Sequence, residues 1–174
     1  PLIETVTYPD MLTPWEAAEA AQHIRFIARS SGKVRIGIGA AREDVNVSVT
    51  GGTRVEIKGV AHISWIPKLT HNEAFRQVSL LEIKRILHER IPQPENWSIK
   101  HSILDPSEWK HIPVLKAAAK EGWKLIAVNL PDFKDILSFF NQPGRIFADE
   151  IIDRLKVIAC LERPNMMHSE QFAF

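Results

Sequence analysis

The chain has 174 residues, 45% hydrophobic and 25% charged, the composition of an ordinary globular protein with room for one large or two small domains. A formal net charge of +1 gives no bulk argument for nucleic acid, so any RNA contact has to come from local patches. No apolar run approaches the roughly twenty residues of a membrane span, no signal-like start is seen, and one cysteine, Cys160, cannot form an internal disulfide; these exclude a membrane-spanning helix and point to a reducing, cytoplasmic setting.

Pro1 to Thr7 is rich in β-formers and reads as a strand. Because it opens on Pro1 within a motif, the chain reads as a fragment of a longer polypeptide. Thr13-Pro14-Trp15-Glu16 is a helix start: a Thr cap, Pro at the first helical position, Glu three after the cap. The helix should stop at Gly32, with Ala17, Ala21, Ile24 and Ala28 as its inner stripe. Lys33 to Gly39 alternates Val34, Ile36 and Ile38 with cations and reads as a strand.

Arg42 to Val60 reads as a β-hairpin. Asp44 to Val49 alternates polar and apolar residues, and so does Arg54 to Lys58. A two-residue loop at Gly51-Gly52 would set Val49 opposite Arg54. A three-residue loop, Gly51-Gly52-Thr53, sets Val49 opposite Val55, Val47 opposite Ile57, Ser48 opposite Glu56 and Asn46 opposite Lys58. Burial of one face favours the second register. The other face then carries Arg42, Asp44, Asn46, Ser48, Arg54, Glu56 and Lys58. A solvated sheet surface is the simple reading of that row. Against it, Asp, Asn and Ser are poor strand formers. They offer oxygen ligands for a hard cation, and Arg and Lys bind phosphate.

Residues 61 to 69 are ambiguous, with Trp65 and Pro67 indicating an edge or loop. Thr70-His71-Asn72-Glu73 reads as a second capping box. It should open a long helix ending before Pro92, with Phe75, Val78, Leu81, Ile83, Ile86 and Leu87 on its buried side. Arg76, Lys84, Arg85 and Arg90 form a solvated face or, alternatively, an RNA-backbone contact. Ile91-Pro92-Gln93-Pro94-Glu95 is a stiff linker, which sets domain limits of 1–92 and 96–174. Beyond it the pattern predicts a strand near Trp97–Leu104 and a helix from Ile112 to Glu121 ended by Gly122. A strand over Trp123–Val128 comes next, then a helix from Pro131 through Phe140. After a turn at Gln142-Pro143-Gly144 comes a helix over Phe147–Ile158. The fold class is α+β in two domains: a mixed or antiparallel sheet with helices on one face, then a small α+β domain.

None of the histidines His23, His62, His88, His101 and His111 sits at a zinc-ligand spacing, and His168 has no role that its pattern specifies. There is no Walker-type loop, no GxSxG elbow and no GxGxxG after a strand.

Two sets of residues carry a family resemblance. Arg42, Asp44, Asn46-Val47-Ser48 and Val55-Glu56-Ile57-Lys58 follow Pro1-Leu2-Ile3-Glu4 and Tyr8-Pro9-Asp10. Their order and spacing resemble those of the B-type and E-type amidotransferase subunits, which convert misacylated Glu-tRNA(Gln) to Gln-tRNA(Gln). In the second half, Ala127-Val128-Asn129-Leu130-Pro131, Pro143-Gly144-Arg145, Phe147-Ala148, Pro164-Asn165 and Met167-His168-Ser169 look like the GAD domain. That insertion is shared by bacterial-type aspartyl-tRNA synthetases and the E-type subunits. Both sets in this order look like the E-type branch.

The resemblance implies a two-step reaction. ATP phosphorylates the γ-carboxylate of the tRNA-bound Glu, and ammonia from a partner amidase, a D-type subunit, displaces the phosphate. It implies ATP and Mg²⁺ as cofactors and a hetero-oligomer acting on misacylated tRNA. Glu56 is then the expected metal ligand and a catalytic residue. Lys58, also catalytic, is expected on a nucleotide or acyl-phosphate oxygen, with Arg42, Asp44, Asn46 and Ser48 orienting substrate or nucleotide. Two alternatives stay open: a non-catalytic RNA-binding or interaction fragment, and part of an aspartyl-tRNA synthetase. The second lacks any class II synthetase motif.

Overall fold

Thr13 opens the first helix through a reciprocal cap. Its hydroxyl accepts from the Glu16 N–H at 3.2 Å, and the Glu16 carboxylate accepts from the Thr13 N–H at 2.9 Å. Helix α1, Pro14–Ser30, ends just before Gly32, which takes φ +65°. Ala17, Ala21, Ile24 and Ala28 lie half-buried, as the stripe predicts, while Trp15, Phe26 and Ile27 stay exposed. The computed structural model describes residues 2–37, 39–109, 111–162 and 165–172; Pro1, Ile38 and Pro164 of the motifs above lie outside the described residues.

Neither strand flanking α1 forms. Residues 2–7 and the described part of 33–39 are irregular. A strand needs a neighbour to take up its N–H and C=O groups, and no described segment pairs with either. Leu2, Ile3, Val6 and Ile36 are accordingly exposed.

The hairpin forms, with β1 at Glu43–Val47 and β2 at Val55–Val60, antiparallel. Its register differs from the expected one by two residues: Val47 faces Val55, Asn46 faces Glu56 and Val45 faces Ile57. A slip of two keeps every side chain on its own face, so Val45, Val47, Val55 and Ile57 still point inward. The cause is the turn. The Gly52 N–H donates to Val49 O at 2.9 Å, and Gly51, at φ +81°, occupies the third position, where a type II turn needs a positive φ. The turn is therefore Val49-Thr50-Gly51-Gly52, and Ser48 and Val49 fall just outside β1. Toward the other end the ladder skips a residue, with Glu43 opposite Val60. Gly59, at φ +69°, takes up the extra residue as a bulge.

Helix α2, Ile66–Arg90, starts four residues before the predicted cap. Pro67 lies in its first turn, where a missing N–H costs nothing. Thr70 is interior, and its hydroxyl donates back to Ile66 O at 2.7 Å instead of capping. The buried side agrees at Ile83 and in the half-burial of Leu81, Ile86 and Leu87, and differs elsewhere: Ile66, Thr70, Gln77 and Ser79 are buried, whereas Phe75 and Val78 are exposed. Gln77 serves the hairpin. Its Nε2 donates to Val47 O at 3.0 Å and its Oε1 accepts from the Val49 N–H at 3.2 Å. Gln77 is thus a buried polar residue on α2 because it satisfies strand-end backbone groups. The helix stops before Pro92, with the Ile91 N–H still bonded to Leu87 O at 2.8 Å.

The chain divides into two compact units, Pro1–Leu81 and Glu82–Phe174. In the second, β3 (Lys100–Leu104) pairs antiparallel with β4 (Leu125–Asn129), and α3 (Pro113–Glu121) connects them, ending at Gly122 with φ +70°. β5 (Phe140–Gln142) and β6 (Arg145–Ile146) flank the predicted turn, and α4 spans Phe147–Ile158 as expected.

The segment from Pro131 to Phe139 is a series of turns, not the predicted helix. Asp132 and Asp135 take positive φ. Arg90 Nη1 donates to the Asp132 and Lys134 carbonyls, and the Glu170 carboxylate accepts from the Asp135 and Ser138 N–H groups. Side chains thus satisfy the backbone groups that a helix would have paired internally. Among the described residues there are four α-helices and three two-stranded antiparallel sheets, an α+β architecture. The larger mixed sheet expected from the sequence does not form, because two of its anticipated strands find no partner.

A candidate phosphate and cation site on the hairpin

The exposed face of the hairpin gathers four of the predicted residues. Asn46 and Glu56 are direct cross-strand partners. Lys58 stands between two carboxylates, its Nζ 3.1 Å from Glu56 Oε2 and 3.5 Å from Asp44 Oδ2. The other Asp44 oxygen, Oδ1, accepts the Gly59 N–H at 2.7 Å. The bulge thus turns a backbone donor toward Asp44. Arg42 and Ser48 lie just outside the two ends of β1, both exposed, so the strand itself holds neither.

The electrostatics follow from these contacts. The Gly59 N–H, with help from Lys58 and Arg42 and against some desolvation, holds Asp44 below the ordinary aspartate range. Glu56 bonds and charge, then Asp44, push Lys58 above the ordinary lysine range. A lowered carboxylate stabilises the fold above its ordinary pKa and loses that contribution as pH falls through the lowered value. A raised lysine stabilises below its ordinary pKa and loses that contribution as pH rises through the raised value. Neutral pH lies inside both windows, so Asp44 and Lys58 are both charged there. Among the described residues no group of three or more His, Cys, Asp or Glu side chains converges as a metal site. Asp44 and Glu56, sharing one ammonium, are the pair on this face placed to share a cation.

One acid lies on the wrong side of the alternation. Glu43 belongs to the inward row with Val45 and Val47, and its Oε2 is buried without a hydrogen-bond partner among the described residues. Burial pushes its carboxyl up, with Arg25 and His62 opposing the shift. Those two residues line a groove of about 800 Å³ between α1 and residues 61–64. A raised carboxyl favours folding below the ordinary glutamate range, and that advantage is lost as pH rises through the raised value. Glu43→Gln is therefore expected to raise the melting temperature at pH 7–8. The gain should vanish near pH 4, where both side chains are neutral; thermal unfolding at the two pH values measures it. The signal was legible in part: a Glu in phase with two valines.

The basic cluster of α2 is largely neutralised within its own helix or unit. Arg76 pairs with Glu73 at 3.1 Å, and Arg85 with Glu82 at 2.6 Å and Glu89 at 2.5 Å. Arg90 is spent on the carbonyls named above. His168 is buried, both ring nitrogens lack a hydrogen-bond partner among the described residues, and Glu170 Oε2 lies 3.9 Å from Nδ1. Sequence reasoning missed Gln77 and Gly59, the two residues that shape the hairpin's ends; a lone helix Gln and a Gly after a strand motif carry no distinctive signal. No helix among the described residues is long and apolar enough to cross a membrane.

The model of the GatB/GatE catalytic domain matches residues 1–144, a stretch that includes the whole hairpin and runs past Pro92–Glu95. The E-type subunit of glutamyl-tRNA(Gln) amidotransferase from Methanocaldococcus jannaschii is 40% identical over 163 residues, 91% of this chain and 25% of the relative. The protein of the same name from Thermococcus gammatolerans is 38% identical over 157 residues, 90% of this chain and 25% of the relative. That of Pyrococcus furiosus is 36% identical over 174 residues, 98% of this chain and 27% of the relative. The chain spans about a quarter of the length of these curated relatives. With the family model covering most of its residues, the chain belongs to the GatB/GatE catalytic domain family.

Proposed function

We propose that this chain is part of the E-type subunit of a glutamyl-tRNA(Gln) amidotransferase and that its hairpin face contributes to an ATP-dependent activation site. The observation that supports the reading best is similarity over about nine-tenths of the chain to proteins of that name. The site geometry is in keeping with it. Phosphoryl transfer depends mainly on positioning and on neutralising charge, with little covalent work for the protein. Mg²⁺ is commonly held by one or two carboxylates together with water and substrate phosphates. Glu56 and Asp44 supply that number of carboxylates and already close on a single positive charge, so the donor set fits the ion, with Glu56 as its main protein ligand. Bound there, Mg²⁺ would supply charge neutralisation on the nucleotide phosphates.

The chain's own residues do the remaining work. Lys58 leaves its carboxylate partners and takes a phosphate or acyl-phosphate oxygen, an exchange of one charge-assisted contact for another. Arg42 adds a second cation at the strand end. Asn46 and Ser48 offer an amide and a hydroxyl that orient the substrate. Asp44 anchors the bulge through Gly59 and keeps the Lys58 stem on this face. In the same reading the partners are misacylated tRNA and an amidase that delivers ammonia, the setting is cytoplasmic, and the segment 96–174 is a GAD-like insertion.

The test is reconstitution. The full-length protein carrying this chain is combined with an amidase partner, ATP, Mg²⁺ and Glu-tRNA(Gln). Formation of Gln-tRNA(Gln) that requires ATP supports the reading; no conversion with any nucleotide, from a folded and assembled complex, overturns it.

A further inference from the structure

Seven lysines and arginines but three acids lie between Arg25 and Lys58, in a chain whose net charge is only +1. The structure separates the cations that are spent from those that are not. Lys58 is held by Glu56 and Asp44, and the arginines of α2 are taken up as described. Arg29, Lys33, Arg35 and Arg42 are exposed and form no ion pair among the described residues. Arg25, one helical turn before Arg29 on the same face of α1, is exposed and lines the groove between α1 and residues 61–64, which directly follow Val60, the cross-strand partner of Glu43, itself the neighbour of Arg42. The last turns of α1 and the start of β1 are therefore close together, and Lys33 and Arg35 sit on the segment that joins them. The acid inside this ring, Glu43, lies in the inward row with Val45 and Val47 and is one acid against the five cations Arg25, Arg29, Lys33, Arg35 and Arg42.

We propose that the last turns of α1, the connection carrying Lys33 and Arg35, and Arg42 form a docking surface for the phosphate backbone of RNA. The inference rests on the amidotransferase reading, which makes the substrate an RNA with the reacting group at its end. Arg42 lies at the edge of both this surface and the hairpin face, so a strand tracked along the cations leads toward Glu56 and Lys58. This is not where the sequence placed a basic face: it pointed to α2, whose arginines are already satisfied. Exposed, unpaired arginines and lysines spaced along a path suit a run of phosphates, which need charge rather than a closed pocket.

The test is RNA binding by the full-length protein carrying this chain, followed by anisotropy of a labelled tRNA(Gln) transcript at about 50 to 200 mM salt. Each phosphate contact contributes roughly −0.7 to −0.9 to the slope of log affinity against log salt. The triple variant Arg29→Gln, Lys33→Gln, Arg35→Gln should lower the slope by about 2 and weaken binding on the order of ten-fold or more. Lys84→Gln on α2 should change binding less than about two-fold. These side chains are exposed, so the variants should keep the wild-type circular dichroism and melting temperature. An unchanged slope in a folded triple variant overturns the surface, and so does a polyaspartate peptide that binds as well as the RNA at the same salt. Should the triple variant not fold, the single Lys33→Gln and Arg35→Gln variants decide, each expected to lower the slope by about 1. The two readings fail separately: a lost slope can be seen with no amidation, and Glu56-dependent amidation can persist with the slope unchanged.

Discussion

Glu56→Gln in the reconstituted complex is expected to lower the rate of ATP-dependent amidation by about a hundred-fold or more, the scale seen when one preorganised charged or donor group is removed from a transition state. The substitution keeps the shape of the side chain and removes its charge, so strand pairing with Asn46 should survive. Two consequences separate a metal-binding role from a structural one. The Mg²⁺ concentration needed for half-maximal rate should rise, because one of two carboxylates is gone. The melting temperature should move little, because the group is exposed and its pairing with Lys58 lies in solvent. Lys58→Met should act differently: it frees both carboxylates, weakens phosphate binding and raises the KM for ATP more than it changes the Mg²⁺ requirement. Amidation by Glu56→Gln at the wild-type rate would remove the hairpin from the site.

Gln77→Ala is expected to be the most destabilising single change around the hairpin, about 2–3 kcal/mol. Gln77 is 5% exposed. Its amide donates to Val47 O and to Glu73 Oε1 and accepts from the Val49 N–H, at 3.0, 2.9 and 3.2 Å. Truncation strands a carbonyl and an N–H where β1 ends, and a buried backbone group without a partner carries its full desolvation cost. Gly52 is fitted to the same side chain: a Cβ there would stand 2.8 Å from Gln77 Oε1. For a domain of this size the change corresponds to a drop in melting temperature of roughly 5–10 °C. Gln77→Glu should restore little, since it keeps an acceptor but loses the donor to Val47 and adds a charge beside Glu73. A melting temperature within about 1 °C of wild type would show that the turn holds itself without α2.

These expectations divide along the line between what local sequence and long-range contact each decide. Period-2 alternation specified the hairpin and its two faces, and those faces survived an error of two in the register because side chains repeat every second residue. The Thr13–Glu16 cap fixed the start of α1 from four adjacent residues, and the limits of α4 were legible in the same way. Such features depend on atoms a few positions apart, so the chain carries them wherever it goes. The site residues were legible as a pattern. That Lys58 also reaches Asp44, whose other oxygen takes the Gly59 N–H of the bulge, could not be read from the pattern alone.

Tertiary contact settled the rest. Residues 2–7 and the described part of 33–39 have strand composition but form no strand, because pairing needs a partner that only the fold supplies. Pro131 to Phe139 has helical spacing but forms turns, because Arg90 and Glu170, distant in sequence, take its carbonyls and N–H groups. The turn at Val49–Gly52 is set as much by Gln77, twenty-eight positions away, as by its own glycines. Local residue order settled which elements are amphipathic and which chemistry they can present. Where the hairpin's backbone groups and spare cations find partners was decided by side chains that only the folded chain brings within bonding distance.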